Sequence, residues 1–302
     1  MIRIAVVTPS HNQGEFIERT IRSVLDQNYP DLEYVVCDAE SGDATPAILE
    51  AYADRLQIIR EPDRGQADAV NKGIRVTSGD VIGWLNSDDV YYPGALATVA
   101  GFFGDHPDVD VLYGDADFID AWGAVIGRYY TRAWDAERLK ERPFLCQPAV
   151  FFRRRMVDRF GLLDEQLQYT LDYEYWLRLA AGGAHFAYLP VTLAGARLHS
   201  ATKTRNGRLK LHAELHPMLK RYVRKVPDGW ILSHTQAHLQ DTPGLSFSTP
   251  LAFALAVAGT SLRLSLELNH SVSTRLALST ARTLSAGLLK TLRRRPVVFP
   301  LD

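Results

Sequence analysis

Val81-Ile82-Gly83-Trp84-Leu85-Asn86-Ser87-Asp88-Asp89 is a short apolar run that ends abruptly in an amide, a hydroxyl and two carboxylates. It reads as a buried strand, too short for a helix and bounded by turn formers. The arrangement recurs upstream. Residues 2–8 (IRIAVVT) stop at Pro9-Ser10, residues 34–37 (YVVC) stop at Asp38, and residues 57–59 (QII) stop before Glu61-Pro62-Asp63-Arg64. Helical patterns lie between them. One covers 15–27, with Phe16, Ile17, Thr20, Ile21, Val24 and Leu25 near helical spacing. Another covers 45–56, with Thr45 as N-cap and Pro46 in the first turn, and a third covers 66–76. Alternating strands and helices with short links specify βαβ units and a mostly parallel α/β sheet flanked by helices. Ligands of such sheets bind beyond the carboxyl ends of the strands, so the polar residues found there matter most.

Downstream, residues 109–131 carry shorter strands with glycine punctuation, and 134–152 return to the sheet. Residues 169–181 form a helix with Tyr173, Trp176, Leu177 and Leu179 inside, and 187–191 and 196–199 are closing strands. From about Arg205 the pattern turns helical, interrupted at Pro227 and across 243–250. The expected domains are therefore 1–204 and a helical extension, 205–302.

The 302 residues are 46% hydrophobic and 23% charged, which excludes a disordered or collagen-like chain and suffices for a real core. Cys37 and Cys146 are far apart with neither metal nor redox spacing, so both read as small buried apolar residues. That usage fits a reducing, cytoplasmic location. The start is too quickly polar for a signal peptide, and no uninterrupted apolar stretch reaches the roughly 18 residues of a spanning helix. The longest, 251–262, contains Gly259, Thr260 and Ser261. The net charge of −1 hides an asymmetry. Residues 205–302 hold 14 Lys/Arg against 5 Asp/Glu, a net of +9, leaving −10 on residues 1–204. A basic tail suits an anionic partner or a solvated helical face.

Oxygen ligands clustered at 86–89 without Cys or His suit a hard divalent cation, Mg²⁺ or Mn²⁺, with positions open to phosphate oxygens. A turn with Asx-type capping uses the same residues. The chain has no Gly-x-x-x-x-Gly-Lys-Ser/Thr, no Gly-x-Gly-x-x-Gly and no Gly-x-Ser-x-Gly, so P-loop, dinucleotide and hydrolase-elbow readings have no support.

Several segments resemble, in order, the family 2 glycosyltransferases with the GT-A fold. They begin with Val7-Thr8-Pro9-Ser10-His11-Asn12 and Thr20-Ile21-Arg22-Ser23-Val24-Leu25-Asp26-Gln27. Val36-Cys37-Asp38-Ala39-Glu40-Ser41-Gly42-Asp43-Ala44-Thr45 and Glu61-Pro62-Asp63-Arg64-Gly65-Gln66-Ala67-Asp68-Ala69-Val70-Asn71-Lys72-Gly73 follow. The Asn86–Asp89 turn falls where that family keeps its Asp-x-Asp motif. Gln147-Pro148-Ala149-Val150-Phe151-Phe152, Asp172-Tyr173-Glu174-Tyr175-Trp176 and His199-Ser200-Ala201-Thr202-Lys203 complete the set, which spans about residues 2–204.

The resemblance implies a GT-A type, Rossmann-like sheet and inverting sugar transfer from a nucleotide-diphosphate sugar to a hydroxyl acceptor. Glycan or lipid-linked sugar acceptors are expected, in surface polysaccharide or glycolipid assembly; nucleic acid is not an expected partner. Thr8 and Pro9 would shape the nucleotide cleft, and Asp38 would accept a hydrogen bond from the base. Asp68 and Asn71, on one helix face, would hold the nucleotide or the metal turn. Asn86, Ser87, Gln147 and Lys203 would contact the donor. Asp88 would bind the cation, with Asp89 as second ligand or brace and His199 as a metal or diphosphate contact. Asp172 would be the general base that deprotonates the acceptor, ahead of Glu174.

Three departures stand out. Asn86 occupies the first position of Asp-x-Asp, Leu171 replaces an acidic residue before Asp172, and Ala39-Glu40 replaces small residues after Asp38. A catalytically silent sugar-nucleotide binder or scaffold is the alternative that Asn86 and Leu171 suggest. A nucleotidyltransferase is a further one, although Pro9-Ser10-His11-Asn12 is not the basic, glycine-rich loop it needs. In the tail, 272–295 reads as a basic amphipathic helix. Arg275, Arg282, Lys290 and Arg293 form one stripe, and Leu276, Leu284, Leu288 and Leu292 fall broadly opposite. Such a helix suits peripheral contact at the inner face of the plasma membrane, packing on the catalytic domain, or contact with a second subunit.

Overall fold

Runs of Val and Ile become β1 (Ile4–Ser10), β2 (Leu32–Asp38), β3 (Gln57–Arg60) and β4 (Val81–Trp84) in the computed structural model. It describes residues 1–199, 207–240 and 249–292, so Lys203 and Arg293–Arg295 lie outside the described residues. β1 is buried along its whole length, as a strand covered on both faces must be. These strands pair in parallel in the order β3-β2-β1-β4. Helices α1 (Ile17–Leu25), α2 (Thr45–Glu50) and α3 (Gln66–Val76) connect them. The chain winds one way from β1 to β3 and the other way to β4. The crevice at the carboxyl ends of β1 and β4 is thus a topological switch point, the usual ligand position.

The second half comprises β5 (Val90–Tyr91), α4 (Ala95–Asp105), β6 (Val111–Ile119), β7 (Val125–Arg128) and α5 (Ala136–Glu141). A 3₁₀ turn (Gln147–Ala149), β8 (Val150–Arg153), α6 (Arg155–Phe160), α7 (Leu171–Ala181) and β9 (Phe186–Arg197) follow. The sheet continues β4-β8-β6-β9-β5, with β7 on β6. Only the first half is parallel throughout. β8 runs antiparallel to β4 and β6, and β5 to β9. The tight β6–β7 hairpin needs no crossover helix, which an antiparallel pair allows. β5 follows β4 in sequence yet pairs at the far end of the sheet order. The sheet therefore curls, and Tyr91 N–H reaches Ser23 Oγ of α1 at 3.1 Å.

Two expectations are corrected. The closing strands are one, β9, because Thr192, Ala194 and Gly195 pair with β6 on one side, and Ala194 and Gly195 with β5 on the other. The β6–β9 register slips between Gly114, opposite Leu189, and Asp115, opposite Thr192. Pro190 sits in that irregularity, where its missing N–H costs no ladder bond. Thr45 is not the N-cap of α2 but its first residue; Ala44 is the cap. Asp43 Oδ1 instead accepts the Thr45 N–H at 2.9 Å, and Thr45 Oγ1 accepts that of Gln13 at 3.1 Å.

The chain divides into two compact units, Met1–Leu139 with Pro143–Arg205, and Lys140–Arg142 with Asn206–Asp302. Described by itself, the second carries α8 (Arg208–Leu219), α9 (Asp228–Gln240), α10 (Pro250–Asn269) and α11 (Thr274–Leu292). Ser273 caps α11 by accepting the Leu276 N–H at 2.9 Å. The α10–α11 seam is built of small residues. Ala254 and Ala258 are buried on α10, and Leu276 and Thr280 on α11, while Ser261 meets Thr235 of α9 at 3.0 Å. A Cβ on Gly287 would lie 2.6 Å from Ala254 Cβ, so only glycine permits this approach. The apolar face expected of α11 is therefore corrected: Leu276 is buried, but Leu288 is 48% exposed, because the seam selects small side chains. α10 is long and apolar enough to cross a membrane by length and composition, which the interrupted 251–262 run did not indicate. Within the unit, burial and the neighbouring imidazoles lower His212 to about 3, and burial and His234 lower His216 to about 4.

In the first unit α3 lies directly on the sheet. A Cβ on Gly73 would meet Val7 Cγ1 at 2.4 Å, with Val35 and Cys37 close behind. Gly73→Ala is expected to destabilise the protein by about 1–3 kcal/mol through overpacking. Urea unfolding followed by tryptophan fluorescence measures it; an unchanged midpoint would mean that α3 can lift from the sheet freely.

Candidate active site

The turn after β4 is organised by the Asn86 amide. Its Oδ1 accepts from Gln66 Nε2 at 2.7 Å and from the Trp84 indole at 2.9 Å. Its Nδ2 donates to Asp89 Oδ2 at 3.1 Å and to Gln147 Oε1 at 2.8 Å. All four hydrogen-bonding positions of the amide are used. An indole N–H can only donate, which fixes which end of the amide is oxygen. Gln147 is tied in turn to the Trp84 carbonyl at 2.5 Å.

Asp89 points inward. Its Oδ1 accepts the Arg197 N–H at 2.8 Å, so both carboxylate oxygens are engaged within the protein. Burial, and then the neighbouring Asp88 charge, push this carboxyl well above the usual carboxylate range. The Thr20 hydroxyl bonds the carbonyls of Ser87 and Asp89 at 2.9 and 2.7 Å, pinning the turn to α1. The Ser87 side chain is buried in the same turn.

Asp88 points the other way. Its Oδ2 lies 3.0 Å from His199 Nε2, with Asp88 side-chain exposure of 21% and His199 11%. His199 packs on the Phe16 ring at 4.6 Å between centroids, and the Arg197 guanidinium lies 5.3 Å over the same ring. Arg197 also donates to the carbonyls of Asp88, Asp120 and Ala121 at 2.6, 2.7 and 3.0 Å. Adjacent ligands of an octahedral cation with bonds of about 2.1 Å sit about 3 Å apart, so the Asp88–His199 pair fits two positions on one ion.

At the neighbouring strand ends, Thr8 is fully buried and its hydroxyl meets Tyr34 OH at 3.2 Å, within the core. Pro9 is buried as well. Ser10 ends β1, and its buried Oγ has no hydrogen-bond partner among the described residues. Asp38 is buried at the end of β2. It accepts from Ser41 Oγ and N–H at 2.5 and 3.0 Å, with Arg60 at 3.7 Å. Asp68 accepts the Arg64 N–H at 3.0 Å, and side-chain hydrogen bonding from Arg64 holds its carboxyl below the usual range. Arg64 bridges onward to Glu165. Asn71 exchanges bonds with Leu163, both at 3.0 Å, and donates to Glu165 at 3.0 Å. Asp68 and Asn71 thus fasten the loop before α7 to α3.

Asp172 lies in the first turn of α7, where it accepts the Tyr173 N–H at 2.7 Å. Glu174, the rival base, is 3% exposed and ion-paired to Arg178 at 2.9 Å, and Arg178 also holds the carbonyls of Phe160 and Leu162. Its role here is to fix the loop. Burial raises the Cys146 thiol pKa strongly, and the charges of Asp89 and Asp172 raise it further. Sequence reasoning missed Gln66 and Arg197. A single arginine ending the apolar run Leu193-Ala194-Gly195-Ala196 was the available signal, and Arg197 is indeed 3% exposed.

Comparison with known proteins shows the family and the fold. The family model for Glycosyl transferase family 2 matches residues 5–161. A PGL/p-HBAD biosynthesis glycosyltransferase of Mycobacterium tuberculosis is 29% identical over 182 residues, 58% of this chain and 68% of that protein. The O-antigen biosynthesis protein RfbC of Myxococcus xanthus is 30% identical over 210 residues, 68% of this chain but 16% of that protein. Among solved structures, S. aureus TarS 1-349 in complex with UDP-GlcNAc has a TM-score of 0.62 at 15% identity, covering 100% of this chain and 95% of that one. The mannosyltransferase PcManGT from Pyrobaculum calidifontis, in complex with GDP-Man and Mn²⁺, has a TM-score of 0.60 at 20% identity, covering 97% and 82%. The fold is that of the GT-A glycosyltransferases.

The saturated amide gives a test. Asn86→Asp replaces two donated bonds by a carboxylate facing Asp89 and the Gln147 oxygen. Each acceptor left unpaired costs about 1–3 kcal/mol. Asn86→Asp is therefore expected to unfold at clearly lower urea than wild type at pH 7, and equal midpoints would contradict the network.

Proposed function

The chain belongs to glycosyl transferase family 2, and from that premise we propose that it moves a sugar from a nucleotide-diphosphate sugar to a hydroxyl acceptor with inversion. The observation that carries the reading is the Asp88–His199 pair at 3.0 Å beside the β1–β4 switch point. Asp88 and His199 would hold a divalent cation, Mn²⁺ or Mg²⁺. When bound, such an ion acts as a Lewis acid that offsets charge growing on the departing nucleotide diphosphate. Asp89, with both oxygens engaged inside the protein, serves as a brace for the turn. Ser10 and Asp38, at the ends of β1 and β2, bound the nucleotide side of the cleft. Gln147, held by Asn86, fixes the floor under the donor sugar. Asp172 takes the acceptor hydroxyl proton as that oxygen attacks the anomeric carbon, and the sugar–phosphate bond breaks on the opposite face. Among relatives, one is named for PGL/p-HBAD and one for O-antigen biosynthesis, which supports a surface glycan or lipid-linked acceptor.

The exposed leucines Leu255, Leu266, Leu278, Leu288 and Leu289, with exposed Arg275 and Arg282, suit the helical unit to an anionic membrane surface where such an acceptor lies.

Three outcomes are expected. Asp172→Asn lowers the transfer rate by about 100- to 10,000-fold while donor binding, read by calorimetry, is retained; a rate within tenfold of wild type removes Asp172 as base. Transfer stops on treatment with EDTA and returns with Mn²⁺ or Mg²⁺; activity that survives thorough chelation rejects the metal role. The full chain floats with anionic liposomes and not with neutral ones, and a chain that stays at the bottom of both gradients rejects the membrane assignment.

A further inference from the structure

The helical unit holds a second cluster of metal-ligating side chains. His212 and His216 are one helical turn apart on α8, so their rings share a face, and His234 on α9 meets them. One ligand atom from each lies within 4.8 Å of the others. The rings pack directly together. Centroids of His212 and His234 are 4.8 Å apart at 11°, and those of His216 and His234 are 4.9 Å apart. His212 and His216 are 2% and 5% exposed. Three buried nitrogens, His212 Nδ1, His216 Nε2 and His234 Nδ1, have no hydrogen-bond partner among the described residues. Buried polar atoms are almost always satisfied, so three unsatisfied ones in a single cluster ask for a common partner.

We propose that His212, His216 and His234 bind one imidazole-preferring divalent metal of the zinc class, which ties α8 to α9. Three neutral imidazoles without a carboxylate suit Zn²⁺ and not Mg²⁺, Mn²⁺ or Ca²⁺. The site is therefore chemically distinct from the oxygen-bearing Asp88–His199 pair. Ser233 Oγ lies 3.2 Å from His212 Nε2 and orients that ring through its other nitrogen, as outer partners of metal-bound histidines commonly do. The ligand atoms of a tetrahedral zinc site lie about 3.4 Å apart, so modest side-chain rotation closes the triangle, and a water completes the fourth position.

The test uses the tag-free full chain, stripped with chelator and dialysed. Titration with Co²⁺, the spectroscopic stand-in for Zn²⁺, is expected to give intense tetrahedral visible bands that saturate at one equivalent and vanish when Zn²⁺ displaces the ion. Asp88→Asn keeps the bands; His216→Gln and His234→Asn lose them. Bands lost in Asp88→Asn and kept in the histidine variants would place the ion in the transfer cleft and overturn the proposal. Absence of tetrahedral bands in wild type would also overturn it, leaving a dry imidazole cluster. Zinc-edge X-ray absorption on wild type needs no variant. Three imidazoles in the scattering support the site, and a carboxylate with one imidazole overturns it.

Discussion

The bond from the Arg197 backbone N–H to the Asp89 carboxylate joins the last strand of the sheet to the turn that follows the fourth. It extends the short β5–β9 pairing, in which Val90 lies opposite Gly195, back to the turn itself, although β4 and β9 are separated in the sheet by β8 and β6. A buried carboxylate is tolerated only where its oxygens are engaged, and Asp89 has Arg197 on one oxygen and Asn86 on the other. With that join in place the sheet curls, β9 ends beside Asp88, and His199 arrives two residues later against Phe16. The acidic turn thereby acquires an imidazole neighbour from a segment more than a hundred residues away.

The two adjacent aspartates have opposite surroundings, and this separates them. Asp88 shares the partly exposed side with His199, whereas Asp89 is buried and facing inward. Asn86 is equally specific. In sequence it reads as a weakened Asp-x-Asp motif, which made a silent binder plausible. In three dimensions an amide is what the position needs, because Asp89 and Gln147 require donors while Gln66 and Trp84 require an acceptor. Of the acidic residues of this turn, Asp88 is the one that faces His199.

The parallel half of the fold was legible because its strands are continuous apolar runs, each ending in a polar turn. The antiparallel half was harder to read, since its pairings are set by curl and not by local pattern. Sequence splits β9, although Thr192, Ala194 and Gly195 pair with β6 across the gap. The turns at the strand ends were legible in the chain, but the direction of each side chain was not readable. Thr8 turned into the core, and Asp68 and Asn71 proved to fasten a loop. In the tail the pattern of leucines suggested one face and close helix approach selected another, since glycine, alanine and serine pack where leucine cannot. The His-x-x-x-His spacing of 212–216 was visible in the sequence, but its third partner on α9 was not.

The irregularity at Pro190 has a consequence for how this chain can vary. Side chains alternate along a strand, so the residues absorbed between Leu189 and Thr192 determine which way every later side chain of β9 points. Deleting one of them would turn the strand end over, offering Leu198 where Arg197 now stands. Length at that bend is therefore a heritable constraint on the cleft some distance away. Related chains that tolerate residue changes there should still keep the same count.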